Sequence, residues 1–195
     1  KKVSGEGTFS DCLKAKRLLD KYNVQYNVLT VLTPTLLKHP DKLYKFYKQN
    51  GFRYIQLIPQ IISAHGQEDK ATALAFGSFL IRFFDRWYED FVKGDIISVR
   101  HFDNYIRLLA GYAPESCAMR GECSCIHTIE ADGSVYPCDF YVTDEYKLGN
   151  IKTHSFADMA NNSIADGFIK ESDCRICARC KYFTLCRNGC KRDRL

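Results

Sequence analysis

The sequence contains no apolar stretch long enough to cross a membrane. It also lacks a charged segment followed by an apolar one of the secretory type, and its first residues, KKVSGEGTFSD, are polar. Neither an internal repeat nor a low-complexity segment occurs. We therefore expect a globular, cytoplasmic protein with no membrane partner. In the reducing cytoplasm, clustered cysteines more often bind metal than form disulfides.

Charge of one sign is not in large excess, because the formal net charge is only +5. Part of it lies in the last five residues, KRDRL, for which a solvated basic tail is the simplest interpretation. No extended basic stripe is interleaved with aromatic residues, which argues against a nucleic-acid partner. The chain has no initiator methionine and stops just after a cysteine cluster, so we expect a fragment of a longer protein.

Cysteine is scarce in one half of the chain and abundant in the other. Residues 1–112 contain one of the ten cysteines, Cys12, which lies on the apolar face of a predicted helix and is expected in the core. The other nine lie in residues 113–195. This change in composition predicts two domains, 1–112 and 113–195.

The first half has the pattern of an α/β fold. Strand, helix and strand at 24–32, 41–50 and 52–61 predict a βαβ unit, in which Gly51 ends the helix. The nearly continuous apolar content of 24–32 is typical of a strand covered on both faces. The remaining predicted elements are a helix capped by Thr8, a long helix at 71–92 ended by Gly94, a short strand at 96–100 and a helix at 102–111.

The second half is built from shorter elements. Asp132-Gly133 lies between two β-rich runs, which is a strong hairpin signal. KLGNI, at 147–151, predicts a turn, and SFADMANNS, at 155–163, predicts a short helix. The C-terminal run CRICARCKYFTLCRNGC, at 174–190, then places five cysteines in seventeen positions.

These closely spaced cysteines predict a metal site. Disulfides between residues three apart would close very small loops and are disfavoured in a reducing cytosol. Four thiolates suit structural zinc and an iron–sulfur cluster equally well, and redox disulfides are a weaker alternative. Upstream, a hairpin flanked by cysteines suits either metal, and Cys125 is interpreted as a bystander thiol. The cysteines of this upstream set are Cys117, Cys123, Cys125 and Cys138.

The cysteine spacing resembles that of the SPASM domain. The pattern is Cys117-x15-Gly133-x4-Cys138, a gap, and then Cys177-x2-Cys180-x5-Cys186-x3-Cys190. The segments DGSVYPCDFYV, LGNI, CKYFTLCRNGCKR, DRWYEDFVKGD and SVRHFD are similar to those of the anaerobic sulfatase-maturating enzymes. The resemblance covers most of the chain and is weakest around residues 60–72.

The resemblance implies an architecture. The chain would be the C-terminal portion of a partial (β/α)6 radical S-adenosylmethionine barrel, followed by a small cysteine-rich SPASM domain with a β-hairpin and short helices. Barrels of this family hold a reactive 4Fe–4S cluster on a C-x3-C-x2-C motif, and no three cysteines here have that spacing. S-adenosylmethionine and this third cluster would then belong to the parent protein, and the fragment alone would be inactive.

The resemblance also implies ligands for two auxiliary 4Fe–4S clusters. One cluster would use Cys117, Cys123, Cys138 and Cys190, and a second would use Cys177, Cys180 and Cys186. In the family the fourth ligand of the second cluster lies further downstream, so this SPASM domain would be truncated. Cys174 is outside the pattern and is a weaker candidate for that ligand. Zinc is an alternative in material purified in air.

In the resembled family, an active-site Cys or Ser of a sulfatase is oxidised to formylglycine. The implied partners are a sulfatase polypeptide and an electron donor such as flavodoxin or ferredoxin. Asp139 would be the base, although an Asp bonded to local amides is the simpler interpretation from the residues alone. Tyr136, Phe140 and Tyr141 are expected to exclude water from the cluster. A SPASM enzyme that modifies another peptide and a zinc-stabilised binding module are the alternatives.

Overall fold

A computed structural model describes residues 4–60, 70–170 and 177–193 of the chain. These residues divide into two compact units. The first unit holds residues 4–60 and 70–102, and the second holds residues 103–170 and 177–193. The division falls upstream of the change in cysteine content at residue 112.

The first unit contains a three-stranded parallel sheet. Its strand order is β1-β2-β3, and Val28 of the first strand pairs in register with Ile55 of the second. The predicted βαβ unit is therefore confirmed. The strands are β1 (Val28–Leu32), β2 (Tyr54–Pro59) and β3 (Ser98–Val99), and the helices are α1 (Phe9–Lys21), α2 (Pro40–Gln49) and α3 (Lys70–Phe91), with a 3-10 turn at Leu36–Lys38. Helix α4 (Arg100–Leu109) begins in the last residues of this unit, and its remaining residues belong to the second.

Aromatic side chains of α2 and α3 form much of the first core. Tyr47, Phe83 and Trp87 are each 2% exposed or less. The indole N–H of Trp87 donates a 2.8 Å hydrogen bond to the backbone oxygen of Ile97. The ring is therefore buried without leaving its polar atom unsatisfied. The Tyr47 hydroxyl similarly bonds Thr30 Oγ1 at 2.6 Å, which joins α2 to β1.

Three expectations for the first unit are wrong. Leu29 and Val31 are 61% and 51% exposed, so β1 is covered on one face rather than on both. Cys12 is exposed, because α1 packs through the neighbouring Leu13 and buries none of its residues fully. Thr8 does precede α1, but its side chain makes no capping hydrogen bond.

The second unit contains a three-stranded antiparallel sheet in the order β4-β5-β6. The predicted hairpin is confirmed, since Ile129 pairs with Val135 across the Asp132-Gly133 turn. The predicted turn at 147–151 is wrong, because Leu148 is buried and its N–H bonds Val135, which draws the next two residues into the sheet. The elements are β4 (Thr128–Ile129), β5 (Ser134–Tyr136), β6 (Gly149–Asn150), α5 (Phe156–Ala160), α6 (Ser163–Lys170), α7 (Phe183–Cys186) and 3-10 turns at Cys117–Met119, Asp144–Tyr146, Cys177–Arg179 and Lys191–Asp193.

Local hydrogen bonds fix the turns of this unit. Both the N–H and the hydroxyl of Ser134 donate to the Asp132 carboxylate at 2.8 Å, which closes the hairpin. The short helix predicted at 155–163 is confirmed as α5, and Ser155 and Asp158 form a capping box at its start. The core beneath the sheet is small and consists of Val135, Leu148, Met159 and Ala165. Within the described part of the chain, no helix is both long and apolar enough to cross a membrane.

Candidate metal centre

The hairpin places Cys138 directly after its second strand. Ile126 donates to the backbone oxygen of Pro137 at 2.9 Å, and Tyr141 donates to the oxygen of Cys138 at 3.0 Å, so the chain turns at this cysteine. The thiol is half-buried and lies 3.3 Å from Asp139 Oδ1. Burial, with smaller effects from Asp139 and Cys190, raises the pKa of Cys138 to about 11.

The C-terminal segment brings Cys190 back towards the hairpin. Helix α7 ends at Arg187, and Arg187, Asn188 and Gly189 all have positive φ angles. Three consecutive left-handed residues reverse the chain direction sharply, and Cys190 follows them. Lys191, the next residue, has its Nζ 5.5 Å from the ring centre of Tyr141, so the C-terminal segment contacts the turn that follows Cys138. The hairpin and the C-terminal segment are therefore in contact, and the first predicted ligand set draws its cysteines from both.

Tyr141 lies in the electrostatic environment of three predicted ligands. Burial raises the pKa of Tyr141 to about 12, and charges on Cys190, Cys123 and Cys138 contribute in the same direction. All three cysteines are half-buried. The fourth predicted ligand, Cys117, lies exposed in the one-turn helix that precedes the Cys123 loop.

The start of that loop is fixed by a buried amide. Asn104 is 1% exposed, and its Oδ1 accepts hydrogen bonds from the N–H groups of Glu115 at 2.6 Å and Ser116 at 3.1 Å. Cys117 follows immediately, so its backbone position is set by α4 even though its side chain faces solvent.

The thiols are grouped too loosely for a single ion. Across the described residues, no three His, Cys, Asp or Glu side chains converge as ligands of one metal ion. Zinc requires four ligand atoms at about 2.0–2.3 Å from one centre. A 4Fe–4S cluster has its four thiolates on four different irons, so their sulfurs lie further apart. The donors near Tyr141 are all thiols, which a 4Fe–4S cluster takes as ligands.

The second predicted ligand set lies along one compact segment. Cys180 donates its N–H to the oxygen of Cys177 at 3.0 Å, and Cys186 donates to Tyr182 at 2.9 Å. Cys177 is half-buried, whereas Cys180 and Cys186 are exposed. Cys174, the alternative ligand, lies outside the described residues.

Asp139, the predicted base, is exposed and accepts the contact from the Cys138 thiol. Tyr136 is 8% exposed and Tyr141 is half-buried, as expected for residues that exclude water. Phe140 is 48% exposed, so that expectation is wrong for its ring.

Sequence reasoning missed the role of Lys191. As part of the basic tail it was expected to be solvated, but it is half-buried and its Nζ lies over the rings of Tyr141, Tyr146 and Phe168. The only available signal was its position directly after Cys190. The aromatic partners lie far away in the sequence and cannot be assigned to it from the chain alone.

Comparisons with known proteins agree with this geometry. The SPASM family, described as an iron-sulfur cluster-binding domain, matches residues 117–181. The cysteine-type anaerobic sulfatase-maturating enzyme of Clostridium novyi (strain NT) is 39% identical over 196 residues, which cover 97% of this chain and 52% of that protein.

Two solved structures are similar over nearly the whole chain. A histidine-tagged form of anSMEcpe with bound AdoMet has a TM-score of 0.93 and 36% identity, covering 100% of this chain and 53% of that one. Native anSMEcpe with bound AdoMet and Kp18Cys peptide has a TM-score of 0.91 and 36% identity, covering 98% and 55%. The chain spans about half the length of the relatives it matches. With its SPASM iron–sulfur domain, the chain belongs to the family of the anaerobic sulfatase-maturating enzymes and corresponds to their C-terminal portion.

Proposed function

We propose that this chain is the auxiliary-cluster part of a radical S-adenosylmethionine enzyme that oxidises a sulfatase cysteine to formylglycine. Its roles are to hold auxiliary 4Fe–4S clusters, to accept an electron and to form part of the substrate cleft. The contact between the residues that follow Cys190 and the turn that follows Cys138, with Lys191 over Tyr141 and Arg192 over Phe140, carries this proposal. Cysteine is chosen over serine as the target because the Clostridium novyi relative is named as a cysteine-type enzyme.

The donor chemistry fits the proposed clusters. Thiolates are the usual ligands of 4Fe–4S centres. Four of the seven proposed ligands, Cys123, Cys138, Cys177 and Cys190, are half-buried, which limits the access of water and oxidants. The first cluster would use Cys117, Cys123, Cys138 and Cys190. The second would use Cys177, Cys180 and Cys186, with its fourth ligand unassigned among the described residues and Cys174 as the weaker candidate.

When bound, an auxiliary cluster supplies a one-electron acceptor. The conversion of a substrate CH2–SH group to a thioaldehyde removes one hydrogen atom, one electron and one proton. We assign the proton to Asp139, whose exposed carboxylate lies beside the Cys138 thiol and can reach a bound peptide. The exposed ring of Phe140, next in the chain, offers that peptide an apolar contact.

The remaining parts of the reaction belong to the rest of the parent protein. S-adenosylmethionine and a third 4Fe–4S cluster would bind there, since this chain lacks a C-x3-C-x2-C motif. A closed (β/α)6 barrel would complete the open parallel sheet of the first unit. Flavodoxin or ferredoxin would supply the electron, and the fragment alone would not turn over.

Iron, acid-labile sulfide and zinc should be measured in the full-length protein prepared without oxygen. We expect iron and sulfide in equal amounts and little zinc, because a 4Fe–4S centre contains equal numbers of both and the matched SPASM family is described as an iron-sulfur cluster-binding domain. Cys12→Ser is the matched control, since this exposed thiol lies in the first unit and should leave the iron content unchanged. Zinc without sulfide would overturn the proposal in favour of a zinc-stabilised module.

The substrate class is tested separately by mass spectrometry of sulfatase-derived peptides. A cysteine peptide should be converted to the corresponding formylglycine peptide, seen as a change in its mass, and this conversion should be faster than that of the serine peptide. If the protein holds its clusters but leaves both peptides unchanged, the alternative of a SPASM enzyme that modifies another peptide replaces the proposal.

A further inference from the structure

Three aromatic rings surround the ammonium group of Lys191. Its Nζ lies 4.5 Å from the ring centre of Phe168 and 5.5 Å from those of Tyr141 and Tyr146. Each distance falls within the range of about 6 Å in which a cation is attracted to a ring face. We call Tyr141, Tyr146 and Phe168 the aromatic cage.

The rings of the cage also support one another. All three pairs are in edge-to-face contact, with centres 5.1–5.7 Å apart and interplanar angles of 74–79°. Phe168 is 2% exposed on helix α6, and Tyr146 belongs to the 3-10 turn Asp144–Tyr146. The cage is therefore built from elements of the second unit and needs only the lysine from the C-terminal segment.

A second cation–π contact runs beside the first. The guanidinium carbon of Arg192 lies 4.1 Å from the ring centre of Phe140. Consequently the two residues that follow Cys190 contact the turn that follows Cys138. The segments that begin at Cys138 and at Cys190 therefore pack against each other.

A lysine in this position cannot be explained as a solvated tail. The ammonium group is strongly hydrated, so its removal from water must be offset by the ring faces. Three rings around one ammonium is the arrangement that proteins use to recognise cationic ligands. Here the occupant is a side chain next to a proposed cluster ligand.

We propose that Lys191 is a positioning residue whose contacts with the aromatic cage hold Cys190 against Cys138. This inference rests on the proposed function, because Cys190 and Cys138 are there assigned to one cluster. Lys191 does not touch the reacting atoms. Its effect is to keep the C-terminal thiolate in place, so that the cluster is not released when the segment moves.

The test is the rate at which full-length protein, reconstituted without oxygen, releases iron to a ferrous chelator. Lys191→Met keeps the length of the side chain but removes its charge. We expect release to accelerate about 5- to 30-fold, the equilibrium factor that one desolvated cation–π interaction can supply. The Lys191→Arg variant should release iron at a rate between those of wild type and Lys191→Met, because a planar guanidinium can stack on one ring but cannot occupy the aromatic cage.

Lys170→Met is the matched control. This lysine ends helix α6 in the same unit, and its side chain is 79% exposed. Its variant should release iron at the wild-type rate. Equal rates for Lys191→Met and Lys170→Met would overturn the proposal.

A double-mutant cycle with Phe168→Leu separates positioning from a general loss of stability. If Lys191 acts through the cage, Lys191→Met should have little further effect in the Phe168→Leu background. Fully additive effects would contradict the inference. This cycle also covers the case in which one single variant loses cluster through poor folding.

A cluster-free readout distinguishes failure of the inference from failure of the proposed function. Dibromobimane, which fluoresces after it bridges two thiols, should link Cys138 to Cys190 in apo wild type, as mapped by peptide mass spectrometry. The link should be lost in Lys191→Met and kept in Lys170→Met. If the protein binds no iron but still shows this pattern, only the proposed function is overturned. If the link is absent in the wild type, the positioning role of Lys191 is overturned.

Discussion

Gly121 lies directly against the backbone carbonyl of Arg187. Its φ angle is +80°, and a Cβ atom at this position would lie 2.2 Å from the Arg187 oxygen and 2.8 Å from its Cβ. The contact joins the loop that carries Cys123 to the left-handed turn before Cys190. Two of the proposed ligands of the first cluster are therefore held together by a backbone approach that only glycine permits.

Gly121→Ala should consequently disrupt the second unit. Relief of the overlap would force the Cys123 loop away from the turn, and the left-handed backbone adds strain, for a cost of about 2–4 kcal/mol. Thermal unfolding should show the loss of stability, and the iron content should fall with it.

Gly167→Ala is the paired control for that experiment. Gly167 lies inside helix α6, and a Cβ atom added to it would meet no other atom within 4 Å. Alanine there should raise stability by about 0.5–1 kcal/mol, because it stiffens the unfolded chain. If both variants were equally stable, the close approach of Gly121 would have no energetic consequence.

A second prediction concerns acid stability of the first unit. Asp90 accepts hydrogen bonds from Tyr44 at 2.9 Å and from Lys48 at 3.0 Å, and Asp95 also contacts Lys48. Burial alone would raise the pKa of Asp90, but the bonds from Lys48 and Tyr44 outweigh it and lower the pKa. A depressed carboxyl pKa means that the stabilisation is present above the unfolded value of about 3.9 and is lost as pH falls through the folded value.

Denaturant unfolding, measured from pH 7 to acid pH, should show this loss as a fall in the free energy of unfolding at the acid end of the curve. Asp90→Asn should lower the free energy of unfolding by about 1 kcal/mol at neutral pH. It should also weaken the dependence of that free energy on pH below pH ~4. Asp85→Asn is the control, because Asp85 lies exposed on the same helix. An unchanged acid limb in Asp90→Asn would show that Asp95 and other carboxylates carry the effect instead.

Local signals explain which parts of the fold the sequence could predict. The Asp132-Gly133 hairpin and the long helix α3 follow from residues that are neighbours in the chain. Strand β6 was predicted as a turn, because its pairing with β5 depends on the burial of Leu148 and not on its own short sequence. Periodicity also placed Cys12 on an apolar helix face, but it contains no information on whether another element covers that face.

The candidate site shows the same limit. Cysteine spacing alone identified the ligand type, and the ligand set that the resemblance implied, with Cys123, Cys138 and Cys190 in one cluster, stays a prediction. The aromatic cage of Lys191 could not be foreseen, since its rings come from positions 141, 146 and 168 and meet only in the folded unit. Long-range packing decides such contacts, and no local pattern encodes them.

A third prediction separates two cysteines that are two residues apart. Cys123 lies with the thiols around Tyr141, whereas Cys125 packs against the small core that contains Val135 and Met159. Cys123→Ala should therefore lower the iron content of anaerobically prepared protein. Cys125→Ala should keep that iron and cost only about 1 kcal/mol of stability, because it removes one sulfur from a packed site.

Iron analysis and thermal unfolding of the two variants show which of the two cysteines is a cluster ligand. Cys125→Ala serves as the internal control for loop disturbance, since both substitutions lie in the same segment. Loss of iron in Cys125→Ala with retention in Cys123→Ala would exchange the roles of ligand and bystander. Loss in both would point to a loop too sensitive for any cysteine to be replaced.

The last prediction concerns Asp139. Its carboxylate is exposed and lies 3.3 Å from the Cys138 thiol, so it contributes little to packing, and in the proposed mechanism it takes a proton from the peptide. Asp139→Asn keeps the shape of the side chain and removes its basicity. In the full-length enzyme we expect peptide oxidation to fall about 100- to 10,000-fold, the usual contribution of a general base.

The same Asp139→Asn protein should keep its iron and sulfide, because Asp139 is not a proposed ligand. Asp144→Asn is the matched control, since Asp144 is an exposed acid in the neighbouring 3-10 turn. It should convert the cysteine peptide at the wild-type rate. Normal turnover by Asp139→Asn with full cluster content would remove Asp139 from the mechanism, and the proton would then have to leave through another group of the cleft or through water.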